Sequence, residues 1–259
     1  MIVLIRLLNF LNHLIKTIIM PNIVGISTCK GRLEHVKQSS KSFLESANNN
    51  AQYLLVDYNC PEKTGQWVLD NYSNANVLSI RNNSDIFHKT VALNAGARYA
   101  INNLNADYLM FFDADTIVKP GLFEFISSLL KKDGFIITTN NKHTKDLTGF
   151  IILSTKMFRE SGGYEESFRG WGAEDLEFRI RLYAKHKYSF NMIEPDFLTN
   201  IPHESDLRVK YYSDKDQWIS NNRNVIRMKR MFNTYRSGDL KKYKDFEDSD
   251  KIGQLLGDF

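Results

Sequence analysis

The sequence predicts an α/β domain built on a mostly parallel sheet, and three observations predict it. Short apolar runs alternate with helical stretches from Asn22 to Asp113, the order expected of a doubly wound sheet. The runs are apolar almost throughout rather than at every second residue, as strands buried on both faces must be. Polar residues with chemical potential then recur at the carboxyl ends of those runs, where such sheets hold ligands: Ser27 and Thr28, Asp57, and Asp113-Ala114-Asp115.

The elements follow in order. Asn22 to Thr28 (NIVGIST) reads as a buried strand, followed by a polar helix over Leu33 to Ser46. Ala51 to Asp57 (AQYLLVD) is a second strand, and a turn-rich segment leads to a short helix over Thr64 to Asn71. Asn76 to Ile80 is a third strand; Lys89 to Asn102 has helical spacing, with Val91, Ala95, Ala97 and Tyr99 to Ile101 apolar. Asp107 to Asp113 (DYLMFFD) has the apolar character of a central strand. Alternation along it throws Asp113 and Asp115 to one side.

Beyond Pro120 the order is less regular. A helix near Leu122 to Lys131 precedes two strands, Phe135 to Asn140 and Gly149 to Ser154. Another strand runs over about Tyr188 to Ile193, and a helix over Asp214 to Phe232. One domain spans 21–235, with one half over 21–118 and the other over 119–235. The charged segment 236–259 reads as a solvated tail.

A chain of 259 residues can bury a substantial core without disulfides. Its two cysteines, Cys29 and Cys60, fit no zinc spacing and no disulfide framework, which suggests a reducing, cytoplasmic setting. A net charge of +4 is too mild to imply nucleic acid. The first twenty residues are apolar but interrupted by Arg6, His13 and Lys16. No run in them approaches the ~20 apolar residues that span a bilayer. They read as a peripheral amphipathic helix, in contact with membrane or with the rest of the protein, or as an extension before the first strand.

Four motifs carry chemistry. The FFDADT string ends a strand with two carboxylates, oxygen ligands suited to Mn²⁺ or Mg²⁺ bridging phosphate oxygens. The alternative is a polar turn closing a buried strand. In the second motif, Glu174 and Asp175 open a helix directly after Gly170-Trp171-Gly172-Ala173. A helix N-terminus favours ionised carboxylates, and one in a cleft can act as general base on a sugar hydroxyl. Ordinary first-turn acids and a core tryptophan are the plain alternative. His203, in IPHES, is either a structural histidine or a nitrogen ligand to the same cation. Lys89 and Asn94 open a helix where a phosphate could sit, or are simply solvated. Arg208 and the helix near Trp218 follow closely enough to cover such a site.

Together these strings resemble the GT-A (Rossmann-like) fold of family-2 glycosyltransferases, with a second half similar to β-1,4-galactosyltransferases and chondroitin polymerases. STCKGR, VDYNCPE, FHKTVALNAGARYA, FFDADT, FRGWGAEDLEFRIRL and IPHES carry the resemblance over about Asn22 to Phe232. It implies a mixed, mostly parallel sheet with helices on both faces. It implies a UDP-sugar donor, with Thr28 and Asp57 on the uridine half and Lys89, Asn94, Asp113 and Trp171 also on the donor side. The metal would be Mn²⁺ or Mg²⁺ on Asp113, Asp115 and His203. Asp175 would be the catalytic base and Glu174 would hold the acceptor. Polypeptide GalNAc-transferases, which retain configuration, carry a similar run with Asn where this chain has Asp175; the Asp therefore implies inversion. One departure stands out: the usual Asp-Asp-Gly-Ser is here Asp57-Tyr58-Asn59-Cys60. The expected reaction is transfer of a hexose or N-acetylhexosamine, Gal or GalNAc by resemblance, to a glycan or lipid-linked oligosaccharide. A non-catalytic carbohydrate-binding protein and a nucleotidyltransferase are the rival readings; the latter wants a Gly-rich basic loop after strand one, of which STCKGR is a poor version.

Overall fold

The computed structural model describes residues 21–82, 84–130, 134–138 and 147–239. The expectations for 1–20 and for 240–259 lie outside these residues. Four parallel strands form one half of a seven-stranded sheet: β1 (Ile23–Cys29), β2 (Ala51–Tyr58), β3 (Ala75–Ile80) and β4 (Tyr108–Phe111). The small strand β5 (Thr116–Val118) stands apart from it. The sheet is completed by β6 (Phe135–Thr138), β7 (Ile151–Ser154) and β8 (Phe190–Ile193), in the order β3-β2-β1-β4-β7-β6-β8. β7 runs antiparallel to both neighbours, so the sheet is mixed but mostly parallel, as expected.

Helices cover both faces because each strand sends alternate residues to each side. Ile23 and Cys29 of β1 join one core with Val36 and Phe43 of α1 (Leu33–Ala47), Val68 of α2 (Thr64–Asn71) and Phe123 of α4 (Leu122–Leu129). Val24 and Ile26 join the other with Ala92 and Ala97 of α3 (Lys89–Asn103) and Phe158 of α5 (Thr155–Ser161). Gly25 is what lets Phe43 lie flat on β1: a Cβ there would stand 2.2 Å from the ring. The small faces of α3, lined by Ala92, Ala97 and Ala100, likewise allow close approach to the strands.

Several expectations are corrected. β4 ends at Phe111, so Asp113 and Asp115 lie in the turn between β4 and β5 and strand alternation does not place them. That turn closes with Thr116 N–H donating to the Asp113 carbonyl at 3.0 Å. β5 pairs antiparallel with β9 (Leu198–Asn200), a ladder that three-residue strands cannot announce in sequence. The helix α6 (Glu174–Ile180) passes into a π-helical turn over Arg181–Lys185. It is followed by α7 (Ser205–Val209) and α8, which starts at Gln217 rather than Asp214 and continues to Asp239, into the predicted tail.

Candidate active site

The β5–β9 ladder is what brings two distant motifs together. Its register pairs Thr116 with Asn200, and Ile201 N–H donates to the Asp115 carbonyl at 2.7 Å. His203 therefore arrives beside Asp115, with Nε2 2.6 Å from Oδ2. Burial opposes the Asp115 charge, but the imidazole contact and the nearby Arg32 hold its carboxyl below the ordinary value. Asp113, two residues earlier, turns elsewhere.

It turns to Lys89. The ammonium lies 2.9 Å from Asp113 Oδ1, 3.0 Å from Glu174 Oε1 and 2.9 Å from Asp175 Oδ2. One cation at the start of α3 thus joins the β4–β5 turn to the first turn of α6. Burial works against its charge, yet the three carboxylates push the Lys89 pKa well above its usual value. The two α6 acids divide unequally. Burial disfavours both ionised forms, but Lys89 holds Glu174 below the ordinary range. Asp175 is raised to about 7 because burial, Glu174 and Asp113 outweigh the ammonium. The pair shares one ammonium, so its second ionisation is the difficult one. Glu174 Oε2 and Asp175 Oδ1 have no hydrogen-bond partner among the described residues.

The chain reaches α6 through an unusual backbone path. Gly170, Gly172 and Ala173 all have positive φ, at 76°, 100° and 68°. Such a path swings Trp171 outward and aims the first turn of α6 at Lys89; Ala173 holds it against the steric preference of an L-residue. The loop is secured from a distance by α8. Ser220 Oγ accepts from Trp171 N–H at 2.7 Å, and Asn224 Nδ2 donates to the carbonyls of Arg169, Trp171 and Gly172. Both side chains are buried.

A cleft runs across this assembly. Thr28, Lys89, Asp113, Asp115, Trp171 and His203 line it, together with Arg32, Arg208 and Tyr212. Arg208 lies 5.7 Å over the Trp171 ring. Glu174 and Asp175 are not among the lining side chains; they meet the cleft through Lys89.

Two of the expected donor contacts are otherwise engaged. Asp57 is buried, and its oxygens accept from Cys60 N–H and Gly65 N–H, both at 2.7 Å. It closes the turn after β2 and receives the start of α2, and it does not line the cleft. Asn94 donates to the Tyr164 carbonyl and to Glu166 Oε1 and accepts from Tyr164 N–H, so it ties α3 to the 164–166 segment. Both cysteines are free and buried.

Other contributors escaped the sequence reading. Arg179 is among the most buried side chains and donates to the carbonyls of Thr148 and Phe150. Gly149, held between them, packs so tightly on Asp113 that a Cβ would stand 2.3 Å from Oδ2. Burial lowers the Arg179 pKa to about 10, against the pull of Asp175. Ser220 and Asn224 were invisible because nothing near them in sequence hints at a loop about fifty residues away. Arg32 stands in the quoted STCKGR string, where its basic character was the available signal.

Among the described residues no three His, Cys, Asp or Glu side chains converge as a complete cation site. Asp115 and His203 do converge, and both line the cleft beside Asp113. An oxygen and a nitrogen donor in contact suit a divalent ion that takes its remaining ligands from a diphosphate and water. The residues therefore fit such a group.

Comparisons with known proteins bear on the fold and on one segment of the chain. The mannosyltransferase of Pyrobaculum calidifontis, solved with GDP-Man and Mn²⁺, superposes with a TM-score of 0.57 at 12% identity, over 73% of this chain and 59% of that one. S. aureus TarS 1-349 in complex with UDP-GlcNAc superposes with a TM-score of 0.56 at 12% identity, over 92% and 80%. The fold is GT-A. Within this GT-A chain, residues 138–204 match the profile of a family described as the N-terminal domain of galactosyltransferase. That segment contains Trp171, Glu174, Asp175 and His203. β-1,4-galactosyltransferase 4 of Mus musculus is 26% identical over 115 residues, 42% of this chain. The rat protein of the same name matches equally. The chain spans about a third of the length of these curated relatives.

Proposed function

We propose that this GT-A protein is a metal-dependent, inverting glycosyltransferase that moves a hexose or N-acetylhexosamine from a UDP-sugar to a hydroxyl of a glycan. The observation that carries the reading is the Lys89 ammonium, within 3.0 Å of carboxylates from both halves of the domain. It brings the Asp-x-Asp turn and the Glu174-Asp175 pair into one site.

The geometry supports the following roles. Asp115 and His203 would hold Mn²⁺ or Mg²⁺, with Asp113 alongside; bound there, the ion would neutralise the diphosphate of the leaving UDP. Thr28 and the guanidinium groups of Arg32 and Arg208 line the same cleft and suit a nucleoside diphosphate. Trp171 offers a flat face to a sugar ring at the mouth. Asp175, whose burial and acidic neighbours raise its pKa to about 7, would accept a proton from an acceptor hydroxyl that reaches it beside Lys89. Glu174 would hold a second acceptor hydroxyl through Oε2, a buried oxygen without a hydrogen-bond partner among the described residues. Attack on the anomeric carbon from the face opposite UDP would invert configuration.

Galactose is the donor sugar that the match over residues 138–204 favours, with N-acetylgalactosamine the alternative by resemblance. The acceptor is a glycan or a lipid-linked oligosaccharide. Asp57 and Asn94 are kept in structural roles, because their polar atoms are already engaged. The test is a panel of UDP-sugars incubated with and without Mn²⁺, comparing wild type with Asp115→Ala. Hydrolysis of one UDP-hexose should require the metal and disappear in the variant and in chelator. Release of pyrophosphate instead of UDP would move the protein to nucleotidyl transfer. Binding of the sugar without any turnover would make it a carbohydrate-binding protein.

A further inference from the structure

Lys89 links Asp113 to Asp175 directly, yet an ammonium on a flexible stem fixes no distance by itself. A second link runs behind it. Arg179 stands four residues after Asp175 on α6, on the same helix face, and is only 1% exposed. Its Nη2 donates to the carbonyls of Thr148, at 2.5 Å, and Phe150, at 2.9 Å. Gly149, between those carbonyls, packs on the Asp113 carboxylate with no room for a methyl group. Asp175 and Asp113 are therefore joined through the α6 backbone, one guanidinium held by two carbonyls, and one glycine.

The charge on this clamp needs a reason. A buried guanidinium is costly, and a neutral amide could also donate to carbonyls. After burial, the strongest influence on Arg179 is the Asp175 carboxylate, and Asp113 acts in the same direction. No carboxylate pairs with it directly: Nε and Nη1 are buried without a hydrogen-bond partner among the described residues. Its charge is answered by the same two acids that it joins. We propose that Arg179 is a positioning residue, which holds Asp175 at a fixed separation from Asp113 and so aligns the base with the donor side of the cleft. This role rests on the glycosyltransferase reading above and adds to it the residue that sets its geometry. A base displaced by about 1 Å would lower transfer to an acceptor by roughly 10²-fold. Water is smaller, reaches the anomeric carbon in more orientations, and depends less on that alignment. A loosened base therefore shows as a changed partition between acceptor and water.

The experiment uses the full chain with UDP-galactose, Mn²⁺ and free hexoses and N-acetylhexosamines as acceptor probes, and reads transfer and hydrolysis together. Arg179→Lys keeps the charge and loses the planar fork; Arg179→Gln keeps an amide donor and loses the charge. In both, the ratio of transfer to hydrolysis should fall at least tenfold. In an Asp175→Asn background, Arg179→Lys should change that ratio no further. Independently of activity, the urea midpoint shifts of Arg179→Lys and Asp175→Asn should be non-additive, as for linked residues. The proposal is overturned if transfer and hydrolysis fall in proportion, if the ratio stays at the wild-type value, or if the full loss persists without the Asp175 carboxylate. Additive midpoint shifts would overturn it too, and so would an Arg179→Lys protein that is unfolded by circular dichroism, which would assign the side chain to the fold alone. A wild type that consumes no UDP-sugar sinks the glycosyltransferase reading instead, and the midpoint shifts then decide whether Arg179 and Asp175 are linked.

Discussion

Replacing Asp175 with Asn separates what this carboxylate does for chemistry from what it costs the fold. Its pKa is raised from 3.8 to about 7. A carboxyl raised on folding binds its proton more tightly in the native state, so it lowers stability as pH climbs from the unfolded value to the folded one. At ~1.4 kcal/mol per pH unit, the full rise would amount to roughly 4 kcal/mol. Glu174 and Lys89 share the titration, which brings the expected penalty to about 2–4 kcal/mol above pH 7. Asn is close in shape, carries no charge, and its amide oxygen can still accept from Lys89. Asp175→Asn should therefore be about 2–4 kcal/mol more stable than wild type at pH 8, with most of that gain absent at pH 4.5. Loss of a general base should lower transfer by roughly 10²–10⁴-fold. Urea unfolding at the two pH values gives the first number, and UDP release with acceptor gives the second. A variant that transfers at the wild-type rate, or is less stable than wild type at pH 8, would refute the reasoning.

The remaining predictions concern the groups around it. Lys89→Met strands three carboxylates, and breaking such a buried arrangement should cost about 3–5 kcal/mol. Urea midpoints should show the loss to be larger at pH 8 than at pH 5, because the acids can be protonated at the lower pH. Asn224→Ala removes the donor to three loop carbonyls and should cost about 1–3 kcal/mol. It should also raise the acceptor KM more than it lowers kcat, as a loosened Trp171 loop would. His203→Ala should raise the half-saturating Mn²⁺ concentration by roughly 10–100-fold or more, read from UDP-sugar hydrolysis against added metal. The wild-type kcat/KM should fall about tenfold per pH unit below the Asp175 pKa, and that acid limb should be missing from the residual activity of Asp175→Asn.

Much of the architecture was already written locally. Apolar runs such as YLLV and YLMFF state that both faces of a strand are covered, and their alternation with helical segments states that the first strands are parallel. The Asp-x-Asp turn, the Trp-Gly-Ala-Glu-Asp run and His203 could be picked out because each combines unusual residue types within a few positions. The resemblance then assigned them to one reaction. What misleads is equally local. Strand β4 ends at Phe111, two residues before Asp113, and nothing near Asp57 in sequence shows that two backbone amides donate to its carboxyl.

What the sequence by itself determined was the kind of domain and the inventory of chemical groups, because periodicity and composition act over a few residues. What only the tertiary structure decided was which groups meet. Lys89 and Asp175 are 86 positions apart, and Asp115 and His203 are 88. Their contacts depend on two three-residue strands pairing and on three residues of left-handed backbone, Gly170, Gly172 and Ala173, around Trp171. Those features have no periodicity to detect, and their stability comes from burial and charge supplied by distant parts of the chain.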